Sequence, residues 1–129
     1  MDIYGMTLED LENYFISINE KKFKAIQVFE WLYKKRINSI DDMSIIKKDT
    51  LNKIKETFYL GDIKIITKQV GKDVIKFLFE LKDKQKVEAV LMRHDYGNSL
   101  CISTQVGCNM GCTFCESGRL KKVRNLEVS

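Results

Sequence analysis

The chain has 129 residues, enough for one ordinary domain and too short for a complete α/β barrel, which needs roughly 200 or more. Apolar residues at 44% and charged residues at 31% supply a core and exclude disorder; no apolar run approaches a membrane span, and the start Met1-Asp2-Ile3-Tyr4 is no signal peptide, so a soluble cytoplasmic chain is expected. The net charge of +4 is uneven: residues 1–20 hold five acids and no base, which leaves the rest at +9, a balance suited to a polyanionic partner.

Thr7 with Asp10 forms a helix-start pattern, and Leu8, Leu11, Phe15 and Ile18 follow at helical spacing. Ala25, Val28, Phe29 and Leu32 repeat that spacing, and Leu51, Ile54 and Phe58 do so more briefly. Three helices are predicted, over residues 7–18, 22–36 and 47–58, with Phe23, Trp31 and Tyr33 read as core. Beyond Gly61 the period changes to two: Ile63 and Ile65, then Ile75, Phe77, Phe79 and Leu81, then Val87, Ala89 and Leu91 each alternate with other residues. Turns are expected at residues 71–73 and 82–86. A fourth strand over 99–103 is expected to turn Leu100 and Ile102 inward and Cys101 to the other face. The predicted class is α+β, with a helical domain at 1–60 and, at 61–129, antiparallel strands that lead into a cysteine loop.

All four cysteines, Cys101, Cys108, Cys112 and Cys115, lie within fifteen positions, whereas a disulfide framework would join distant segments. Cys108, Cys112 and Cys115 form a Cys-x-x-x-Cys-x-x-Cys array with Gly107, Gly111 and Gly118 around it. Three thiolates this close can hold a [4Fe-4S] cube while leaving one iron open to chelate a substrate's amino and carboxylate groups, the arrangement of a radical S-adenosylmethionine site. Two other readings stay open on spacing alone. One is zinc with Cys101 or His94 as a fourth ligand; the other is a dithiol pair from Cys112 and Cys115.

The stretch Leu100-Cys101-Ile102-Ser103-Thr104-Gln105-Val106-Gly107-Cys108, continued by Gly111-Cys112-Thr113-Phe114-Cys115, resembles the signature of the radical S-adenosylmethionine rRNA adenine methyltransferases, the RlmN/Cfr family. Val87-Glu88-Ala89-Val90 resembles that family's Val-Glu-Thr-Val, with alanine in place of threonine. Lys22-Phe23-Lys24-Ala25 with Gln27-Val28-Phe29-Glu30-Trp31 resembles its amino-terminal helical domain, and Arg124-Asn125-Leu126 the segment after its cluster loop.

The resemblance implies carbon methylation of an adenosine in 23S rRNA, most naturally at carbon 2, and also of a tRNA adenosine. One S-adenosylmethionine methylates a protein cysteine; a second yields the radical that activates this methyl for addition to the base. It further implies Cys108, Cys112 and Cys115 as cluster ligands and Phe114 as the aromatic beside the adenine of S-adenosylmethionine. Glu88 matches the proton acceptor, and Cys101 the thiol that resolves the protein-RNA crosslink and ends in a transient disulfide. A flavodoxin or ferredoxin is implied as electron donor, and a monomer as the working form.

Arg119, Lys121, Lys122 and Arg124 after the loop, and Lys21, Lys22, Lys24, Lys34, Lys35 and Arg36 around the second helix, are the expected phosphate contacts. Glu116 and Ser117 stand where the family usually has alanine or serine and then threonine or serine; Glu116 is the departure, and a carboxylate beside a cluster lowers its reduction potential. The family's Gly-Gly-Glu segment, most of its barrel and its methyl-carrying cysteine have no counterpart up to Ser129. The chain is therefore expected to be incomplete, as a fragment or a truncated product. The competing reading is a basic RNA-binding module with a structural metal site.

Overall fold

Thr7 opens the helix Leu8–Ser17 (α1) with a reciprocal cap: its hydroxyl accepts from the Asp10 N–H at 3.1 Å, and the Asp10 carboxylate accepts from the Thr7 N–H at 2.9 Å. The computed structural model describes residues 1–129, with residues 1–61 and 128–129 in one unit and residues 62–127 in another. In the first unit two more α-helices follow, Phe23–Glu30 (α2) and Lys48–Thr57 (α3). The second predicted helix departs from plain α geometry. At Trp31–Lys35 it passes into a π turn, which Arg36 ends in the left-handed region at φ 52°.

The core of this unit gathers Leu11 and Phe15 from α1, Val28 from α2, Leu32 from the π turn, Met43, and Ile54 from α3, each at most 1% exposed. Thr50 is buried with them, and its hydroxyl donates to the Glu20 carboxylate at 2.6 Å. Lys24 also donates to Glu20, at 2.6 Å; these two hydrogen bonds, that of Lys24 first, hold the Glu20 carboxyl below the ordinary glutamate range. Lys24 thus serves the interior of the unit, not a phosphate-binding face. The assignment of Phe23 and Tyr33 to the core is also corrected, since both are exposed while Trp31 is half-buried against the core. Phe23 lies nearly opposite Ala25 around the helix, and Tyr33 packs edge-on against Tyr4 and donates to the Tyr4 carbonyl at 3.1 Å.

The second unit is an antiparallel meander of Lys64–Val70 (β1), Val74–Glu80 (β2), Lys86–His94 (β3) and Gly97–Ile102 (β4), in the order β1-β2-β3-β4. A bulge between Ile65 and Thr67 leaves one extra residue on β1 and shifts its register against β2. The register places Ile75, Leu91 and Leu100 in one cross-strand row and Phe77, Ala89 and Ile102 in the next, on a single apolar face. Leu100 and Ile102 were expected to turn inward, yet they are 60% and 63% exposed. They sit on an edge strand that packs only against β3, so the face they share is not covered at that end. Cys101 lies on the opposite face, as its alternation requires, beside Val90. The architecture is α+β, and no helix is long and apolar enough to cross a membrane.

Candidate active site

Directly after β4 the chain forms Gln105–Val106 (β5), which pairs antiparallel with Arg124–Asn125 (β6). This two-stranded neck closes a loop that carries Cys108, Cys112 and Cys115. Further backbone bonds brace it: the Val123 N–H donates to Val106 at 2.8 Å, the Leu126 N–H to Thr104 at 2.9 Å, and the Cys108 N–H to Leu120 at 2.9 Å. Two glycines permit this closure. Gly107 adopts φ 72°, and a Cβ there would fall 2.1 Å from the Lys121 carbonyl oxygen; a Cβ on Gly118 would approach the Cys112 carbonyl to 2.8 Å.

All four cysteines are free thiols, with the three on the loop half-buried and Cys101 exposed. Within the loop the Cys115 N–H donates to the Cys112 carbonyl at 3.1 Å, and the Met110 N–H reaches the Cys108 Sγ at 3.4 Å. The three thiols share one short loop but are not drawn into a single group of ligands. Their fit to an iron-sulfur cluster rests on donor chemistry, three soft thiols within eight positions, and on the closure of the loop that carries them. Phe114 projects from the loop at 92% exposed.

Glu88 and Cys101 lie on the same face of β3 and β4. Val90 is opposite Cys101 and Ala89 opposite Ile102, so Glu88 falls opposite Ser103, whose hydroxyl donates to the Glu88 carbonyl at 2.9 Å. Glu88 and Cys101 are therefore diagonal neighbours, a relation that spans roughly 7–8 Å in antiparallel ladders. Lys76 on β2 pairs with the Glu88 carboxylate at 2.8 Å. Sequence reasoning missed Lys76, and its signal was legible only in hindsight: Lys76 and Glu88 interrupt facing strands on the same side once the register is known.

The expected RNA-contacting residues differ in their engagement. Arg119 pairs with Glu116 at 3.4 Å, and Lys121 is exposed beside the half-buried Lys122. Lys121 also lines a cleft of about 310 Å³ with Lys84 and Lys86 over Val106, Leu120 and Val123. Arg124 instead secures the neck, donating to Asp83 at 2.7 Å and to its neighbour's carbonyl, the Asn125 oxygen, at 3.1 Å. Asp83 is a second residue that sequence reasoning missed.

The Arg124 hydrogen bond holds the Asp83 carboxyl below its ordinary value of 3.8 and raises Arg124 in turn. A depressed carboxylate stabilises the fold fully above the ordinary value, and that contribution is lost as pH falls through the lowered one. Relative to the intrinsic rate at each pH, amide exchange at Val123 and Leu126 should accordingly stay slow down to about pH 4 and quicken below it. Asp83→Asn should quicken it already at neutral pH and erase the acid response.

The family model described as the ribosomal RNA large subunit methyltransferase N-terminal domain matches residues 1–60. The chain is 52% identical over 125 residues to a "Probable dual-specificity RNA methyltransferase RlmN" of Enterococcus faecalis, covering 96% of this chain and 35% of that protein. It is 50% identical over 129 residues to the protein of the same description from Staphylococcus aureus strain JH9, covering 98% and 35%. A crystal structure of a radical SAM methyltransferase from Sphaerobacter thermophilus superposes with a TM-score of 0.85 at 30% identity, covering 98% of this chain and 38% of that one. The chain spans about a third of the length of the curated relatives it matches. Residues 1–60 are thus similar to the amino-terminal domain of ribosomal RNA large subunit methyltransferases, and over nearly its whole length the chain is similar to about a third of RlmN-type proteins.

Proposed function

We propose that this chain is the amino-terminal portion of a radical S-adenosylmethionine enzyme that methylates carbon 2 of adenosine in 23S rRNA and in tRNA. The observation that carries the reading is the loop of three free thiols, closed at its neck immediately after a strand pair on which Glu88 and Cys101 share a face. The names of the relatives, RNA methyltransferases and a radical SAM methyltransferase, support the same chemistry.

When bound at Cys108, Cys112 and Cys115, a [4Fe-4S] cluster supplies one-electron chemistry to S-adenosylmethionine, with a flavodoxin or ferredoxin as the source of the electron. Phe114 offers an exposed ring to the adenine of S-adenosylmethionine. Glu88 accepts a proton from the methylated base, and Lys76 orients its carboxylate for that transfer. Cys101, as a thiolate, is the nucleophile that releases the base from the enzyme. Arg119, Lys121 and Lys122 meet phosphate, whereas Arg124 acts through the neck it holds. The protein works as a monomer in the cytoplasm.

The test is transfer of labelled methyl from S-adenosylmethionine to 23S rRNA after anaerobic reconstitution, followed by nucleoside mass spectrometry. A protein extended to the length of the relatives should yield 2-methyladenosine. The 129-residue chain should yield none, because it has no fifth cysteine to carry the methyl. Methylation at carbon 8 would overturn the regiochemistry, and methylation by the 129-residue chain would overturn its incompleteness. A single zinc in place of iron and sulfide would favour the RNA-binding module with a structural metal.

A further inference from the structure

The hairpin that joins β3 to β4 ends in a feature with no part in the chemistry above. The rings of His94 and Tyr96 stack in parallel, with centroids 4.7 Å apart and planes 9° apart. Tyr96 is 83% exposed, so its ring covers only His94 and leaves its outer side to solvent. The pair is positioned from beneath: His94 Nε2 shares a hydrogen bond with Ser99 Oγ at 2.9 Å, and Gly97 turns the chain at φ 132°. The Arg93 N–H donates to the Asp73 carbonyl at 2.8 Å, which fixes the hairpin end to the neighbouring turn.

A large aromatic ring left open to water, over a second ring already aligned with it, contributes little to folding. It does match what an unpaired base needs, a flat π surface extended by a second ring. Exposed Arg93 and Lys72 lie at the same end of the sheet, where Arg93 bonds the turn at Asp73, although Asp73 and Asp95 moderate the local charge. Alternation along β3 puts His94 on the same face as Glu88, Val90 and Met92, and therefore on the face of Cys101 and Ser99. His94 lies six positions along the strand from Glu88, about 20 Å at roughly 3.3 Å per residue, too far for one base to meet both.

We infer that the His94–Tyr96 pair is a stacking platform for an unpaired base of the substrate RNA, several nucleotides along the strand from the adenosine presented to Glu88 and Cys101. The inference rests on the RNA-methyltransferase reading and adds to it a site for RNA outside the reaction centre. Stacking reads the π surface that every base has, so the platform carries little sequence preference.

The test is fluorescence anisotropy of a dye-labelled, unstructured single-stranded RNA titrated with the 129-residue chain and its variants. Tyr96→Ala should weaken binding about 5- to 20-fold, whereas Tyr96→Phe, which keeps the ring, should stay within about twofold. The dependence of log affinity on log salt should be the same for all three, because no phosphate contact is removed. His94→Ala should give a smaller loss than Tyr96→Ala. Binding by the unaltered chain with no loss in Tyr96→Ala would overturn the platform and leave the enzymatic reading standing. Equal losses in the alanine and phenylalanine variants would overturn it too, by making the hydroxyl the contact. Absence of RNA binding by the unaltered chain would remove RNA recognition by this portion, and the platform with it.

Discussion

Cys112→Ala should abolish the iron-sulfur chromophore that anaerobic reconstitution gives the unaltered chain, taking iron and sulfide from about four each per chain to near zero. Cys101→Ala should leave that chromophore intact. The contrast follows from where the thiols lie: Cys112 is on the loop closed by β5 and β6, whereas Cys101 is on the sheet, on the face it shares with Glu88. A cube held by three thiolates loses a corner when one is removed, and no other cysteine lies on the loop to replace it. Iron and sulfide analysis beside the visible spectrum checks this. Equal loss in both variants would make Cys101 a ligand and remove it from the catalytic scheme.

Phe15→Ala should destabilise the helical unit strongly and lower its melting temperature steeply. Phe15 is fully buried between the helices, and truncating a buried phenylalanine costs roughly 3–5 kcal/mol through lost burial and the cavity left behind. A unit of this size, at roughly 0.05–0.15 kcal/mol per residue, has about 3–9 kcal/mol in total, so the truncation removes roughly a third of it or more. Thermal loss of the helical circular dichroism signal in the variant, with Phe23→Ala as an exposed control, is the measurement. Retention of a cooperative transition near that of the unaltered chain would show that the core does not depend on this ring.

Much of the architecture could be read from spacing, because the periods of helix and strand differ and each repeats long enough to register. Thr7 and Asp10 announced the first cap, and the alternation from Ile75 to Leu81 and from Val87 to Leu91 announced two strands. The π turn at Trp31–Lys35 was not legible, since over five residues the same apolar positions satisfy either helical pitch. Ser39 and Asp42 form a second capping box that passed unnoticed because no apolar helical run follows it. The orientation of Leu100 and Ile102 shows a different limit: alternation tells which residues share a face, but not whether anything covers it. At the candidate site, the cysteine spacing was visible because its ligands are close in sequence. Lys76 with Glu88 and Asp83 with Arg124 were not, because strand register and loop closure bring those partners together across the chain.

The order of the sheet has a consequence for how the protein is made. Each strand of the meander pairs with the one synthesised just before it, so every closure joins near neighbours in sequence and its entropic cost is small. The four strands are complete at Ile102, ahead of Cys108, while the neck that shapes the cysteine loop must await Arg124 and Asn125. During synthesis at roughly 5–20 residues per second, the sheet can thus form before the loop cysteines emerge, and those thiols remain unconstrained until the neck closes.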